Sequence, residues 1–339
     1  MRKLLDYKYT WVLLGMVLSG LTLYLALREV SLWEVTRQMR KASTVWVVLA
    51  GVNVLANTLL KGLRWYRLTG EVGRKAGLSR VIAANVAGQL LNLIYPARAG
   101  DVSRVLIIGQ NSPEKAFTLG TVVLEKLADL VAYVVLAAIL LLQLPFPTWL
   151  TRPVALMAGA TIAGMAFVIW WVSNTARGER LGSWLANRKV HWLPEQNWRN
   201  LVELVQMSMT AIELVRRRKL VFELSIWTIL IWLTAWVNNV LIWIALGMQD
   251  ALPGQMIPAT LLLLVGLMAG VAVPSVPGRI GVFEYICILA LAIFGIGQAE
   301  SLTYGIILHA VVLLPALVIG AAGLLWLSWK PSGQTSLAE

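Results

Sequence analysis

The sequence predicts an all-α, polytopic membrane protein with about six full spans and two re-entrant hairpins arranged as an inverted repeat. Three observations predict it. Apolar runs of bilayer-crossing length recur along the whole chain. Of the 339 residues, 58% are hydrophobic and only 14% are charged, whereas roughly a quarter are charged in soluble domains. The basic residues flank the apolar runs and do not gather in a soluble patch. No intervening stretch is long enough for a separate soluble domain, so residues 1–339 read as a single transmembrane domain.

The first apolar run, Trp11 to Leu27, follows Arg2, Lys3 and Lys8. No small-x-small cleavage site follows it, and it reads as a retained span. Ser31, Leu32, Trp33 and Glu34 form a capping-box pattern that opens a short surface helix. Further full spans are expected at 45–63, 116–143, 153–175, 220–247 and 303–329. Two shorter, interrupted apolar segments, 81–109 and 257–297, are the expected hairpins. Between 177 and 219 lies a basic, cytoplasmic, amphipathic segment. There Trp198, Leu201, Val205, Ile212 and Val215 share one helical face ahead of Arg216, Arg217, Arg218 and Lys219, the pattern of a helix lying on anionic lipid. Trp46, Trp65, Trp149, Trp170, Trp171, Trp326 and Trp329 fall near span ends, as interfacial anchoring predicts.

The distribution of Lys and Arg sets the expected orientation. With the N-terminus inside, 19 of the 29 basic residues fall on inner segments and five on outer ones. Both termini are therefore expected to be cytoplasmic in a cell membrane. This parity holds only if each hairpin enters and leaves on one side, the first from the cytoplasm and the second from outside. A span, a broken hairpin and a second span then occur twice in opposite orientations, the layout of an inverted repeat.

The polar residues inside apolar segments carry the functional signal. Pro96-Ala97-Arg98-Ala99-Gly100 interrupts the first hairpin, and Pro277-Gly278-Arg279-Ile280-Gly281 the second; Asp101 and Glu284 follow them. Proline breaks a helix and glycine permits a tight turn, so Pro96, Gly100, Pro277, Gly278 and Gly281 mark helix ends at membrane depth. An arginine there costs about 3 kcal/mol in hydrocarbon and persists where it meets a carboxylate or an anionic ligand. Two readings follow. Arg98 and Arg279 surround a cavity for a phosphate or carboxylate, or Arg98–Asp101 and Arg279–Glu284 are ion pairs that fix the turns.

Ser112, Pro113 and Glu114 read as a helix start, with Ser112 capping and Pro113 in the first turn. On that helix Glu125 and Asp129 are four residues apart and share a face. Counting back from Pro145 across ~30 Å of hydrocarbon places Glu125 near the inner boundary and Asp129 ~6 Å inside the core. They are candidates to partner Arg98 or Arg104, to carry a proton, or to anchor a helix at the interface. Gln89, Asn92, Lys126, Asn238 and Asn239 are lower-ranked cavity candidates, with interhelical hydrogen bonding the alternative.

These motifs resemble those of the lysylphosphatidylglycerol-synthetase-type transmembrane family, a flippase-like membrane domain. The resemblance rests on Pro96-Ala97-Arg98-Ala99-Gly100-Asp101 with Arg104, on Glu125-Lys126-Leu127-Ala128-Asp129, and on Pro274 through Glu284. Members commonly show P-x-R-x-G-E, E-R-x-x-D and P-G-G-x-G-x-x-E at these places. This chain carries Asp101 for Glu, Lys126 for Arg and Arg279 for Gly. The resemblance implies a helical bundle with two re-entrant hairpins that moves a lipid between leaflets. It also implies an anionic or zwitterionic headgroup, possibly a lipid-linked sugar.

Other classes find less support. The lone Cys287 excludes a disulfide framework, and His191 and His309 have no ligand spacing around them, so neither a metal nor a cofactor is expected. The net charge of +12 sits at span ends, which speaks for anionic lipid and against nucleic acid. No nucleotide loop, paired-metal acidic motif or appended catalytic domain is recognisable, so transport is expected and not catalysis. A proton-coupled carrier of a small soluble anion is the first alternative. A non-catalytic partner of a lipid-synthesis enzyme is the second.

Overall fold

A computed structural model describes residues 2–28, 30–95, 99–143, 217–271, 273 and 275–329, together with Gly159, Ala163 and Trp198; side chains before Leu14 are excluded. The expected span at 153–175, nearly all of the 177–219 segment, and Pro96, Arg98 and Pro274 lie outside the described residues. Every regular element among the described residues is helical.

The N-terminal helix α1 (Arg2–Leu27) is followed by a short α2 (Leu32–Lys41). Ser31 stands at the start of α2 as expected, but only its carbonyl works there, accepting the N–H groups of Glu34 and Val35 at 2.9 and 3.2 Å. Helix α3 (Thr44–Ala76) has 33 residues and runs well beyond the apolar stretch 45–63, kinking at Gly70. The basic segment 61–80, counted toward the inner side in the orientation above, is therefore almost entirely helix. Two short helices come next, α4 (Leu78–Ile94) and α5 (Ala99–Ile108), before the long α6 (Ser112–Gln143). At the start of α6 the cap lies one residue earlier than expected. Asn111 Oδ1 accepts the N–H of Glu114 at 2.9 Å, and Glu114 Oε2 accepts that of Gln110 at 3.0 Å.

The second half comprises α7 (Arg218–Ala245), the single turn α8 (Met248–Ala251), α9 (Met256–Gly270), a 3-10 turn (Pro277–Arg279), α10 (Val282–Ala292) and α11 (Gln298–Trp329). Among the described residues, α3, α7 and α11 are long and apolar enough to cross a membrane. The pair Leu14–Leu27 and Leu32–Lys41, bent by 80°, adds a fourth candidate if taken as one span. The protein is thus a multi-pass helical membrane protein.

Both expected hairpins are antiparallel pairs of helices too short to span alone. Helices α4 and α5 have 17 and 10 residues, about 26 and 15 Å against a hydrocarbon core of ~30 Å. Asn85, Gly88 and Asn92 of α4 meet Arg104, Gly100 and Asp101 of α5 in reverse order. Gly88 and Gly100 touch backbone to backbone, and a Cβ on Gly100 would overlap the Gly88 carbonyl oxygen. In the second pair Val282 and Ile286 of α10 face Gly270 and Gly266 of α9. Its 3-10 turn packs against α4, so the turn of one hairpin meets a helix of the other.

Long helices hold the hairpins. Helix α11 lies along α4, with Gly320 and Gly323 against Val86 and Leu90, and also along α10. Helix α1 supports the second turn, where Ser19 Oγ accepts the Val276 N–H at 3.0 Å. Helices α3 and α7 form the most extensive pair, bridged by polar groups inside the bundle. Asn57 Nδ2 donates to the Ile231 carbonyl and to Thr234 Oγ1, both at 2.7 Å, and Asn53 Nδ2 donates to the Thr234 carbonyl at 2.8 Å. Lipid tails are as apolar as leucine, so such bonds and close contacts bind helices here more than hydrophobic exclusion does.

The glycine crossing gives a direct test. Gly100→Ala should lower stability by about 1–3 kcal/mol through overpacking, read as a reduced melting temperature in detergent. Gly51→Ala, mid-helix with open space around its added methyl, should not lower that temperature and can raise it through helix propensity.

Candidate functional site

An ionic cluster fills the space between the first hairpin and helices α3 and α6. Glu125 and Asp129 share a face of α6 as their spacing requires, and two arginines converge on them. Arg64 of α3 grips Asp129 with both terminal nitrogens, at 2.7 and 3.1 Å. It lies 3.5 Å from Glu125 and donates to Thr228 Oγ1 of α7 at 3.1 Å. Arg104 of α5 takes both oxygens of Glu125 at 3.2 Å each. It also reaches Asn85 Oδ1 at 3.0 Å and Asp101 at 3.1 Å. Arg64 and Arg104 are 1% and 3% exposed, so their charges have left water almost entirely. Such ions are tolerable only when paired and hydrogen-bonded, and the forked guanidinium–carboxylate geometry supplies that.

The surrounding residues brace the cluster. Lys126 approaches Asp101 at 3.4 Å and Glu125 at 3.8 Å. Asn92 Nδ2 donates to Asp101 Oδ1, and the Asp101 N–H donates back to Asn92 Oδ1, both at 3.2 Å. The buried Trp65 ring lies 4.8 Å from the Arg104 guanidinium carbon, in cation–π contact, and its indole N–H donates to Thr121 Oγ1 at 3.2 Å. Val81, Ala84, Val105, Ile108 and Val122 pack with Trp65 into an apolar floor.

A cavity of about 130 Å³ opens against these residues. Its charged lining is Lys61, Arg64, Arg104 and Lys126 against Asp101, Glu125 and Asp129, with Asn85, Gln89 and Asn92 as neutral polar partners. The site is equipped to bind an anion through several cations while carboxylates hold those cations in place. The structure thus brings Asp101, Arg104, Glu125, Asp129, Gln89, Asn92 and Lys126 into one place. Arg98 and Pro96 lie outside the described residues, so the pair Arg98–Asp101 is not part of this description.

The second hairpin builds a different centre. Glu284 Oε1 lies 2.6 Å from His309 Nδ1 of α11, and its Oε2 accepts the Gly281 N–H at 2.7 Å, capping its own helix. The His309 ring stacks on Phe283 at 4.3 Å. Glu284 therefore serves its helix and a histidine, and these contacts, not the alternative ion pair with Arg279, hold its carboxylate among the described residues. Neither Glu284 nor Arg279 is among the described residues lining the cavity; Glu284 and His309 form a second polar centre. Arg279 sits at φ 59° in the left-handed region, which disfavours any residue with a Cβ. That is a physical reason for glycine to be usual at this place. Gly281, at φ 89°, leaves no room for a Cβ against the Ser19 carbonyl. Asn238 and Asn239 are likewise away from the cavity. Asn238 Oδ1 is 3.5 Å from Asn53 Nδ2, and the Tyr304 hydroxyl donates to the Asn239 carbonyl at 2.8 Å, so both act between helices.

Residues Lys61, Arg64, Asn85, Trp65, Thr121 and Thr228 were not singled out by sequence reasoning as parts of a site. Lys61 and Arg64 enter the sequence reading only through the count of basic residues that sets the orientation. The available signal was the continued helical spacing of Trp65 and Leu68, which keeps Arg64 on a helix and inside the bundle.

A family model described as "Lysylphosphatidylglycerol synthase TM region" matches residues 12–320 of this chain. The chain is also similar to a protein named glycosyltransferase AglD of Haloferax volcanii, 23% identical over 342 aligned residues. That alignment covers 94% of this chain and 54% of the relative, so this chain spans about half of the relative's length.

Arg64→Met should leave Asp129 and Glu125 short of a buried partner and cost roughly 3–5 kcal/mol. The double variant Arg64→Met/Asp129→Leu should regain part of that loss, because the orphaned carboxylate goes with it. Melting temperatures of the two purified variants check the order.

Proposed function

Since the chain belongs to the lysylphosphatidylglycerol synthase transmembrane-region family, we propose that it is a lipid translocator and not an enzyme. It moves a lipid with a polar, phosphate-bearing headgroup between leaflets of a cell membrane, both termini being cytoplasmic. The observation that carries this reading is the cation-rich cavity beside a hairpin too short to span the bilayer. A headgroup enters the cavity while its tails stay in lipid, so the charge crosses without facing hydrocarbon. Arg104, Arg64 and Lys126 offer the anion-binding surface.

The two hairpins form an inverted repeat in this reading, together with the six spans expected from the sequence. The bundle alternates by rocking one repeat against the other. Glu284 and His309 lie where α10 meets α11 and α1, in position to respond to that movement. The similarity to a protein named as a glycosyltransferase favours a lipid-linked sugar as cargo or a lipid-synthesis enzyme as partner.

Reconstitution in proteoliposomes holding a headgroup-labelled phospholipid tests the proposal. Arg104→Gln and Glu125→Gln should slow leaflet exchange at least tenfold while the proteins still elute as folded species. Exchange at the wild-type rate in both variants would remove this cavity from the mechanism. Uptake of inorganic phosphate into the same sealed vesicles, without lipid exchange, would favour the soluble-anion carrier instead.

A further inference from the structure

The cluster's ion pairs leave a remainder of one sign. Both oxygens of Asp129 bind Arg64, both of Glu125 bind Arg104, and those of Asp101 are taken by Arg104, Asn92 and Lys126. The buried lining atoms that lack a hydrogen-bond partner are all nitrogens: Arg64 Nε, Asn85 Nδ2, Gln89 Nε2 and Arg104 Nε. Asn85 is 2% exposed, and its orientation is fixed because its Oδ1 accepts from Arg104, which leaves the amide nitrogen as the unused end. Lys61, one turn before Arg64 on α3, lines the same cavity and forms no ion pair among the described residues. A buried donor without a partner costs about 1–3 kcal/mol. Several of them around one cavity point to an acceptor-rich ligand.

Charge narrows the ligand. With Lys61 protonated, four cations and three anions line the described cavity, a net charge of +1. A monoanion neutralises it, a pyrophosphate overshoots, and a zwitterion leaves the excess in place. The cavity is partly open, so a phosphate can sit among these groups while the rest of a headgroup reaches out of it. Resting on the translocator reading above, we propose that Lys61, Asn85 and Gln89 seat the singly charged phosphate of a lipid phosphodiester. The glycerol or sugar beyond that phosphate extends out of the cavity. Lys61 is thereby the residue that selects a monoanionic headgroup over a zwitterionic one.

Native mass spectrometry of the full chain tests this, with an equimolar mixture of dioleoyl phosphatidylglycerol and dioleoyl phosphatidylcholine as the probe. Wild type should retain the phosphatidylglycerol preferentially. Lys61→Met should lose that preference by about tenfold, the equivalent of one charge interaction of about 1.4 kcal/mol, and Lys61→Arg should restore most of it. Lys61→Met removes a cation without an ion-pair partner among the described residues, so its melting temperature should not fall; Asn85→Leu removes a phosphate donor common to both lipids and should weaken retention of each about tenfold without changing the preference. Unchanged preference in Lys61→Met, or unchanged retention in Asn85→Leu, would overturn the seat. Displacement of the lipid by equimolar glycerophosphoglycerol would overturn the lipid assignment in favour of a soluble phosphodiester. Lys61-dependent retention without leaflet exchange by wild type would support the seat and sink translocation. Exchange that persists with unchanged preference in Lys61→Met would do the reverse.

Discussion

Two carboxylates one turn apart on α6 hold two guanidinium groups from different helices, and the arrangement of the first half depends on that. Glu125 and Asp129 tie α3 through Arg64 and α5 through Arg104. Inside a bundle away from water, each charge is costly alone and acceptable only beside its partner. The pairs therefore fix how far α5 enters. Because Gly88 and Gly100 lock α5 to α4, they fix the whole hairpin. The cavity is the space left between helices whose separation is set by side-chain length rather than by close apolar packing.

The two hairpins repeat a form without repeating its chemistry. Each has a longer helix followed by a shorter one, and each places an acid in the first turn of the second helix, Asp101 and Glu284. Asp101 faces cations from α5 and α6, whereas Glu284 caps its own helix and meets His309 of α11. The first hairpin is thereby an electrostatic site and the second a tightly packed joint. Gly281 and Ser19 bring α1 against that joint. Arg279 holds a left-handed backbone conformation there, so the turn keeps its shape despite a side chain that disfavours it.

Polar residues within the bundle divide by what surrounds them. Asn53, Asn57, Asn238 and Asn239 each find a partner on their own or a neighbouring helix, and so knit α3, α7 and α11 together. Asn85 and Gln89 keep an amide nitrogen unused and line the cavity. The same kind of side-chain amide is glue in one place and part of a cavity wall in the other. Only its neighbours distinguish the two.

By itself the sequence determined the helical class, the two interrupted hairpins, the family, and the role of Glu125, Asp129, Asp101 and Arg104 as charges inside an apolar chain. Those follow from local physics: hydrophobic run length, helix-breaking proline and glycine, and the cost of an ion in hydrocarbon. Tertiary structure decided which charges meet. Arg64 reads locally as a flanking residue because the expected span ends at Leu63, yet α3 continues and carries Arg64 onto Asp129, 65 positions along the chain. Likewise Glu284 chose His309 over the arginine five residues before it. Partner choice across helices depends on relative position and depth, which side-chain spacing within one segment does not encode.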